Sequence, residues 1–224
     1  MKENESNSAE TYQILLKEFL KVAYFLSFEK KSFSVSDFSG SLNRTEDEGL
    51  ALLAVLKRLN LIKSVPESPN HYQITTGGKN NLKIVMTGGV FDIVHLGHIE
   101  TLKEAKSHGD ILIVIVAADE TVESNKGRLP INSQAKRLEL LSHLDVVDLA
   151  EKGSANPKKF LDIVVKYNPD TIVLGYDQSL TEVKLSKLLL DKGLDNIEII
   201  KLEANIPNEK SSLKLKGLDE HSFD

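Results

Sequence analysis

The stretch KIVMTGGVFDIVHLGH, residues 83–98, decides the fold of the C-terminal part of the chain. It begins with an apolar run that predicts a buried strand, passes through Gly88 and Gly89, and reaches His95 at the start of a predicted helix. Glycines between a strand and a helix let backbone N–H groups approach a phosphate, and the helix N-terminus adds partial positive charge. Because His95 and His98 are three residues apart, their imidazoles would point into the same site. The stretch therefore predicts a site for the phosphates of a nucleotide.

A metal site is the alternative interpretation of the two histidines. Imidazoles on one face of a helix can share a metal ion, but such a site needs further ligands. The chain has no cysteine, and no other histidine–carboxylate cluster lies nearby in the sequence. We therefore favour the phosphate site and predict no metal ion held by protein ligands alone.

Composition restricts the class of protein. The 224 residues allow one large domain or two small ones, and 41% hydrophobic residues are enough for a core. The net charge of −5 gives no bulk electrostatic reason to bind nucleic acid, and the lack of cysteine excludes disulfides and thiolate zinc sites. The polar start has no signal-peptide core, and no segment approaches the roughly 20 apolar residues of a membrane span. We expect a soluble, cytoplasmic protein that does not contact membranes.

Residues 1–78 resemble a winged helix-turn-helix module in the order of their predicted elements. Apolar spacing and caps predict three helices, and two short strands follow around a turn rich in proline; the predicted ranges are helices 11–28, 34–41 and 45–59 and strands 61–65 and 71–75. This segment has nine lysines and arginines against ten acids, so DNA binding is less expected than a dimerisation or regulatory role. Residues 77–81 are the predicted linker, and residues 79–224 the second domain.

The second domain alternates strands and helices. The predicted strands are 82–87, 111–117, 145–150, 171–174 and 196–202, and the predicted helices 95–108, 133–142, 157–167 and 179–192, with a polar loop over 119–132. Such repeated units predict an α/β fold, a Rossmann-like, doubly wound, five-stranded parallel sheet. Ligands in these sheets bind at the carboxyl ends of the strands, where the glycine–histidine stretch falls.

The spacing G-x-F-D-x-x-H-x-G-H at residues 89–98 resembles the signature of the cytidylyltransferase-like nucleotidyltransferases. The resemblance implies that an acceptor phosphate attacks the α-phosphorus of a nucleoside triphosphate and pyrophosphate leaves, with Mg²⁺ or another divalent cation accompanying the triphosphate. It also implies a set of nucleotide-binding residues at the motif. They are Gly88, Gly89, Val90, Phe91, Asp92, His95, Leu96, Gly97 and His98.

The resemblance assigns further site residues by position. With His95 and His98, the predicted catalytic residues are Lys126, which would reach the phosphates from a polar loop, and Arg137, whose guanidinium could clamp a phosphate bidentately. Near the end of the fourth strand, Gly175, Tyr176 and Asp177 would contact the base or ribose. Ser211 and Ser212 would cap a last helix and donate to phosphate oxygens.

Three stretches, residues 116–122, 126–131 and 174–178, are most similar to archaeal FAD synthases. That similarity implies transfer of AMP from ATP to FMN, giving FAD. The alternative within the same chemistry is a cytidylyltransferase that uses CTP and glycerol phosphate or a phospho-alcohol. An alternative of another class is a regulator that senses a nucleotide and binds DNA. The resemblance also makes a homodimer a candidate assembly.

Overall fold

Two units make up the chain, Met1–Leu82 and Lys83–Asp224. The computed structural model describes residues 2–176 and 182–203. Among these residues, no helix has both the length and the apolar character needed to cross a bilayer.

The N-terminal unit combines helices with a small antiparallel sheet of strand order β1-β3-β2. Its elements are α1 (Lys2–Lys30), β1 (Phe33–Ser34), α2 (Val35–Ser41), α3 (Glu46–Arg58), β2 (Ile62–Ser64), β3 (His71–Ile74) and α4 (Thr76–Asn80). The predicted caps are confirmed, because Ser34 and Thr45 each accept a backbone N–H from the third helical residue. The helix of residues 11–28 extends to Lys2 and Lys30.

The predicted linker is a short helix. Thr75 caps α4 by accepting the N–H of Gly78 at 2.9 Å, and Gly78 is buried. A Cβ at Gly78 would lie 2.1 Å from the carbonyl oxygen of Leu61, so this glycine serves close packing. Gly78 therefore marks a close backbone approach inside the N-terminal unit, and the unit ends at Leu82, a few residues later than predicted.

The C-terminal unit is the predicted α/β fold. Its elements are β4 (Ile84–Gly89), α5 (Leu96–Ser107), β5 (Ile111–Val116), α6 (Asp119–Lys126), α7 (Gln134–Ser142), β6 (Leu149–Lys152), α8 (Pro157–Tyr167), β7 (Thr171–Leu174), α9 (Glu182–Leu190) and β8 (Glu198–Lys201). The five strands are parallel in the order β6-β5-β4-β7-β8. Strand order reverses at β4, so the carboxyl end of β4 is the expected ligand position.

Two predicted ranges differ from the structure. The polar loop of residues 119–132 begins with helix α6, which buries Val122 and ends at Gly127 in the left-handed region, φ 70°. The third strand lies at Leu149–Lys152, later than predicted, because Asp148 ends the preceding turn by accepting the N–H of Leu112 at 2.7 Å.

The core of the C-terminal unit centres on β5, whose six residues are all buried. This confirms a parallel strand covered on both faces, as its continuous apolar sequence indicates. Val85, Leu102 and Leu141 pack in the same cluster, and they come from the central strand and from helices α5 and α7. The site is therefore built on the rigid centre of the sheet.

Candidate functional site

The turn from β4 to α5 brings His95 and His98 together. His95 is the N-cap of α5, and the centres of the two rings are 4.0 Å apart with an interplanar angle of 36°. Both residues are partly exposed. The backbone N–H of His95 donates to Nδ1 of His98 at 3.4 Å, so a neutral His98 ring carries its proton on Nε2. The two imidazole rings thus lie at the N-terminus of α5, beside the backbone N–H groups of the first turn that have no acceptor within the helix.

Phe91 and Gly97 set the orientation of these rings. Phe91 is buried with φ 52°, and its ring centre lies 5.3 Å from that of His98. A Cβ at Gly97 would lie 3.1 Å from two atoms of the His95 ring, so glycine lets this ring lie over the first turn. Phe91 thus packs against the His98 ring, and its predicted contact with the nucleotide stays a prediction.

Asp92 holds the loop that precedes α7. Its carboxylate accepts the N–H groups of Ile131 at 3.0 Å and Asn132 at 2.9 Å. The side chain of Asn132 donates back to the carbonyl oxygen of Asp92 at 2.9 Å, and Arg128 lies 3.5 Å from the same carboxylate. Asp92 therefore fixes the distance between the motif and this loop.

Arg137 has a different position from the one predicted. It is 1% exposed, and its guanidinium donates to the carbonyl oxygens of Asn132, Val90 and Ala117. It also pairs with Asp119 at 2.7 Å. Because these acceptors surround a buried guanidinium, the predicted phosphate clamp is wrong for this geometry. Arg137 instead positions the carboxyl ends of β4 and β5 around the site.

Asp119 completes this buried arrangement. Partial burial raises the pKa of its carboxyl, but hydrogen bonds from Arg137 and from the N–H of Gln134 outweigh that effect, and the pKa is held below its ordinary value. Gln134 also donates through its side chain to the carbonyl oxygens of Val116 and Gly153, both at 2.8 Å. Gln134, the first residue of α7, thereby links the carboxyl ends of β5 and β6.

Lys126 is exposed at the end of α6, just before Gly127. Within the described parts of the chain, no residue hydrogen-bonds to its ammonium group or pairs with it. Its predicted contact with phosphates stays a prediction that this position permits.

The turn after β7 contains the buried Gly175 and the exposed Tyr176, at the same edge of the sheet as the histidines. Lys201, at the end of β8, donates to the carbonyl oxygen of Gly175 and so holds the turn in place. Asp177, Ser211 and Ser212 lie outside the described residues, and their predicted contacts stay predictions.

No cluster of three or more histidine or carboxylate side chains that could hold a metal ion occurs in the described ranges 2–176 and 182–203. Asp92 and Asp119 are already engaged with backbone N–H groups and arginine. These residues do not form a cage for a resident divalent ion.

Several residues that organise the site were not predicted from the sequence. Asn132, Gln134 and Lys201 each donate a side-chain N–H to a carbonyl oxygen at the end of a strand or in the motif turn. The available signal was their position, since polar side chains at the carboxyl ends of parallel strands meet at one edge of a sheet. Which carbonyl each one reaches depends on tertiary contacts.

Comparisons with known proteins agree with this fold. A family model described as cytidylyltransferase-like matches residues 86–217. An FAD synthase of Thermococcus sibiricus is 50% identical over 118 residues, covering 53% of this chain and 78% of the relative. An FAD synthase of Thermoplasma volcanium is 42% identical over 137 residues, covering 60% of this chain and 94% of the relative. A crystal structure described as a lipopolysaccharide core biosynthesis protein from Thermoplasma volcanium GSS1 has 41% identity and a TM-score of 0.52, and covers 56% of this chain and 99% of that one.

Proposed function

Because the chain belongs to the cytidylyltransferase-like family, we propose that it transfers AMP from ATP to FMN, forming FAD and releasing pyrophosphate. The chain is a nucleotidyltransferase, and adenylyl transfer is favoured because the similar relatives of Thermococcus and Thermoplasma are FAD synthases. The observation that carries the proposal is the pair of imidazoles, 4.0 Å apart, on the first turn of α5.

The reaction needs positioned positive charge more than covalent help from the protein. An oxygen of the FMN phosphate forms a bond to the α-phosphorus of ATP, and the bond from that phosphorus to the bridging oxygen breaks, so pyrophosphate leaves with the electron pair. Negative charge grows on the non-bridging oxygens of the α-phosphate and on the oxygen of the departing pyrophosphate. Fixed N–H donors aimed at those oxygens lower the barrier, because they need no reorganisation during the reaction.

The motif supplies such donors from three sources. Nε2 of a neutral His98 is its N–H donor, since Nδ1 accepts from the backbone of His95. The His95 ring contributes a second donor beside it, and the open N–H groups of α5 contribute the third, with partial positive charge at the helix N-terminus. We propose that these groups bind the α- and β-phosphates.

The remaining contacts lie around this centre. Lys126 offers an exposed cation at the end of α6, suited to the outer phosphates. We propose that Gly175 and Tyr176, in the turn after β7, contact a base or ribose, as does Asp177, which follows them in the sequence. We propose that Mg²⁺ or another divalent cation enters with the triphosphate as part of the substrate, where it neutralises phosphate charge.

We keep the winged-helix interpretation of the N-terminal unit as part of the proposal. It is supported by α1, α2 and α3 preceding the β2–β3 hairpin, and by the pairing of β1 with β3. DNA binding is not favoured, because the first turn of α3 carries Glu46, Asp47 and Glu48. The nucleotide-sensing regulator therefore gains no support from this unit.

The experiment is a substrate screen with purified full-length chain and Mg²⁺. We expect FAD, detected by chromatography and fluorescence, only when ATP and FMN are both present, with one pyrophosphate released for each FAD. The competing arm contains CTP with glycerol phosphate. Product in that arm and none with ATP and FMN would overturn the substrate assignment while leaving nucleotidyl transfer intact. No pyrophosphate in either arm would overturn the proposed activity.

A further inference from the structure

Three large apolar side chains are exposed beside the motif turn. Ile93 is 40% exposed, Leu129 is 57% exposed and Ile131 is 64% exposed. The first belongs to the turn between β4 and α5, and the other two belong to the loop between α6 and α7. We call these three residues the loop patch. Exposed apolar side chains that are grouped, unlike single ones, mark a surface that binds a ligand or a partner.

Asp92 brings the two parts of the loop patch together. Its carboxylate accepts the N–H of Ile131 at 3.0 Å, and Ile93 is the next residue along the chain. The guanidinium of Arg128 lies 3.5 Å from the same carboxylate and donates to the carbonyl oxygen of Leu129 at 3.1 Å. The loop patch is therefore anchored to the turn that leads to the imidazole pair.

The loop sequence matches the chemistry of FMN at both of its ends. Residues 126–131 read KGRLPI, in which two cations precede two exposed apolar side chains. FMN carries an anionic phosphate at one end and the flat, largely apolar isoalloxazine ring at the other. Glycerol phosphate and small phospho-alcohols have no such ring, so they would leave the loop patch in contact with water.

The strand order separates the positions of the two substrates. Strands β5 and β7 flank β4 on opposite sides, and the imidazole pair follows β4. The turn after β7, which we propose contacts the base or ribose of ATP, lies on one side. The loop patch is built from the chain that follows β5, on the other side. Because the FMN phosphate must reach the α-phosphorus between them, the side of β5 is the one left for the rest of FMN.

We propose that the loop patch binds the isoalloxazine ring of FMN and so selects the acceptor. This inference rests on the proposed synthesis of FAD. Contact with the ring removes apolar surface of both partners from water. Pro130 restricts the backbone between Leu129 and Ile131, and the Asp92 hydrogen bonds fix the loop before FMN arrives. A surface formed in advance loses less conformational entropy on binding.

Leu129→Ser and Ile131→Ser test the loop patch. Because each removes part of the apolar contact, we expect KM for FMN to rise about tenfold in each variant. KM for ATP and kcat at saturating FMN should not change, since neither side chain contacts the reacting atoms. Circular dichroism should also be unchanged, because both side chains are exposed. A rise in KM for ATP instead would place the patch at the nucleotide and overturn the proposal.

Leu190→Ser is the matched control. Leu190 is 63% exposed and is the last residue of α9, which leads to the amino end of β8 at the opposite edge of the sheet. This variant should keep the parent KM for FMN. An equal rise in all three variants would be a general effect of lost apolar surface and would contradict a ring contact at the patch.

Riboflavin locates the lost contact, because it has the ring of FMN without the phosphate. We expect riboflavin to inhibit the parent chain by competing with FMN. Its inhibition constant should rise in Leu129→Ser and Ile131→Ser by the same factor as KM for FMN. Unchanged inhibition by riboflavin beside a raised KM for FMN would assign these side chains to the phosphate end and overturn the ring contact.

The outcomes separate this proposal from the proposed function. FAD formed by the parent chain, with KM for FMN unchanged in both patch variants, overturns the ring contact alone. No FAD from ATP and FMN overturns the proposed function and the ring contact with it. Light scattering tests a protein partner at the same surface. A parent dimer that Leu129→Ser dissociates without changing KM for FMN would show a second copy on the patch, against the proposal.

Discussion

Asp92 and Asn132 bind each other in both directions. The Asp92 carboxylate accepts the backbone N–H of Asn132 at 2.9 Å, and the Asn132 side chain donates to the Asp92 carbonyl oxygen at 2.9 Å. This reciprocal pair joins the motif turn to the loop before α7, across 40 positions of sequence. The geometry of the site therefore depends on residues 127–133, a loop that contains none of the predicted catalytic residues.

Asp92→Asn should weaken this connection. One oxygen is replaced by an NH₂ group, which cannot accept the N–H of Ile131 or Asn132, so one backbone donor loses its hydrogen bond to the side chain at a cost of about 0.5–1.5 kcal/mol. We expect KM for ATP to rise and limited proteolysis to cut residues 127–133 faster. Asp145→Asn, an exposed carboxylate in the same unit, is the control and should change neither. Equal proteolysis of Asp92→Asn and the parent chain would contradict the assigned role.

His98→Ala should lower kcat about 100-fold, the effect of removing one preorganised donor to a developing negative charge. The free energy of unfolding should change little, because the ring is partly exposed. His143→Ala removes an exposed imidazole at the end of α7 and serves as the control, with full activity expected. The measurement is the rate of pyrophosphate release at saturating ATP and FMN. Unchanged turnover in His98→Ala would remove the proposed phosphate contact.

Arg137→Met should act mainly on stability. The substitution leaves Asp119 and the carbonyl oxygens of Val90 and Ala117 without the guanidinium, and loss of one partner of a buried ion pair costs about 3–5 kcal/mol. We expect a lower urea midpoint for the C-terminal unit. Arg137→Lys should also be destabilised, since one ammonium cannot reach all of these acceptors. A stable Arg137→Met variant with a raised KM for ATP would contradict this structural role and support the predicted phosphate clamp.

Asp37 gives a pH-dependent prediction for the N-terminal unit. Hydrogen bonds from the Lys30 ammonium and the Ser34 N–H lower the pKa of its carboxyl from 3.8 to about 2. Because the folded pKa is the lower one, the stabilisation is complete above the unfolded pKa and is lost as pH falls from about 4 to 2. Asp37→Asn should unfold about 1 kcal/mol more easily at pH 6, in the range of helix-cap losses, and equal the parent chain near pH 2. Thermal unfolding across this pH range measures the difference, and a constant difference would contradict the assignment.

The sequence predicted the parts of the fold that depend on local spacing. The strand β5 could be predicted from its continuous apolar run, and the start of α5 from glycine and histidine at fixed positions. The caps Ser34 and Thr45 were predictable for the same reason, since a cap acts on the next three residues.

The parts that could not be predicted depend on contacts between distant residues. Arg137 is buried because carbonyl oxygens 20 and 47 positions earlier in the chain surround it, and helical spacing carries no sign of them. Helix α6 has one buried residue, Val122, so it lacks the apolar periodicity of a helix. Gly78 falls in the predicted linker of residues 77–81, yet its lack of a side chain is needed for close packing on Leu61.

The central position of β4 has a consequence for synthesis on the ribosome. Residues 1–82 contain every strand of the first sheet, so that unit is complete before β4 leaves the exit tunnel. Strand β4 can pair with β5 soon after both strands have been synthesised. Its pairing with β7 comes much later, because Val173 of β7 is 86 positions beyond its partner Thr87. During that interval one edge of β4 is unpaired, and an open apolar edge invites pairing with other nascent chains. Pausing or truncation between β6 and β7 is where we expect chaperones to be needed most.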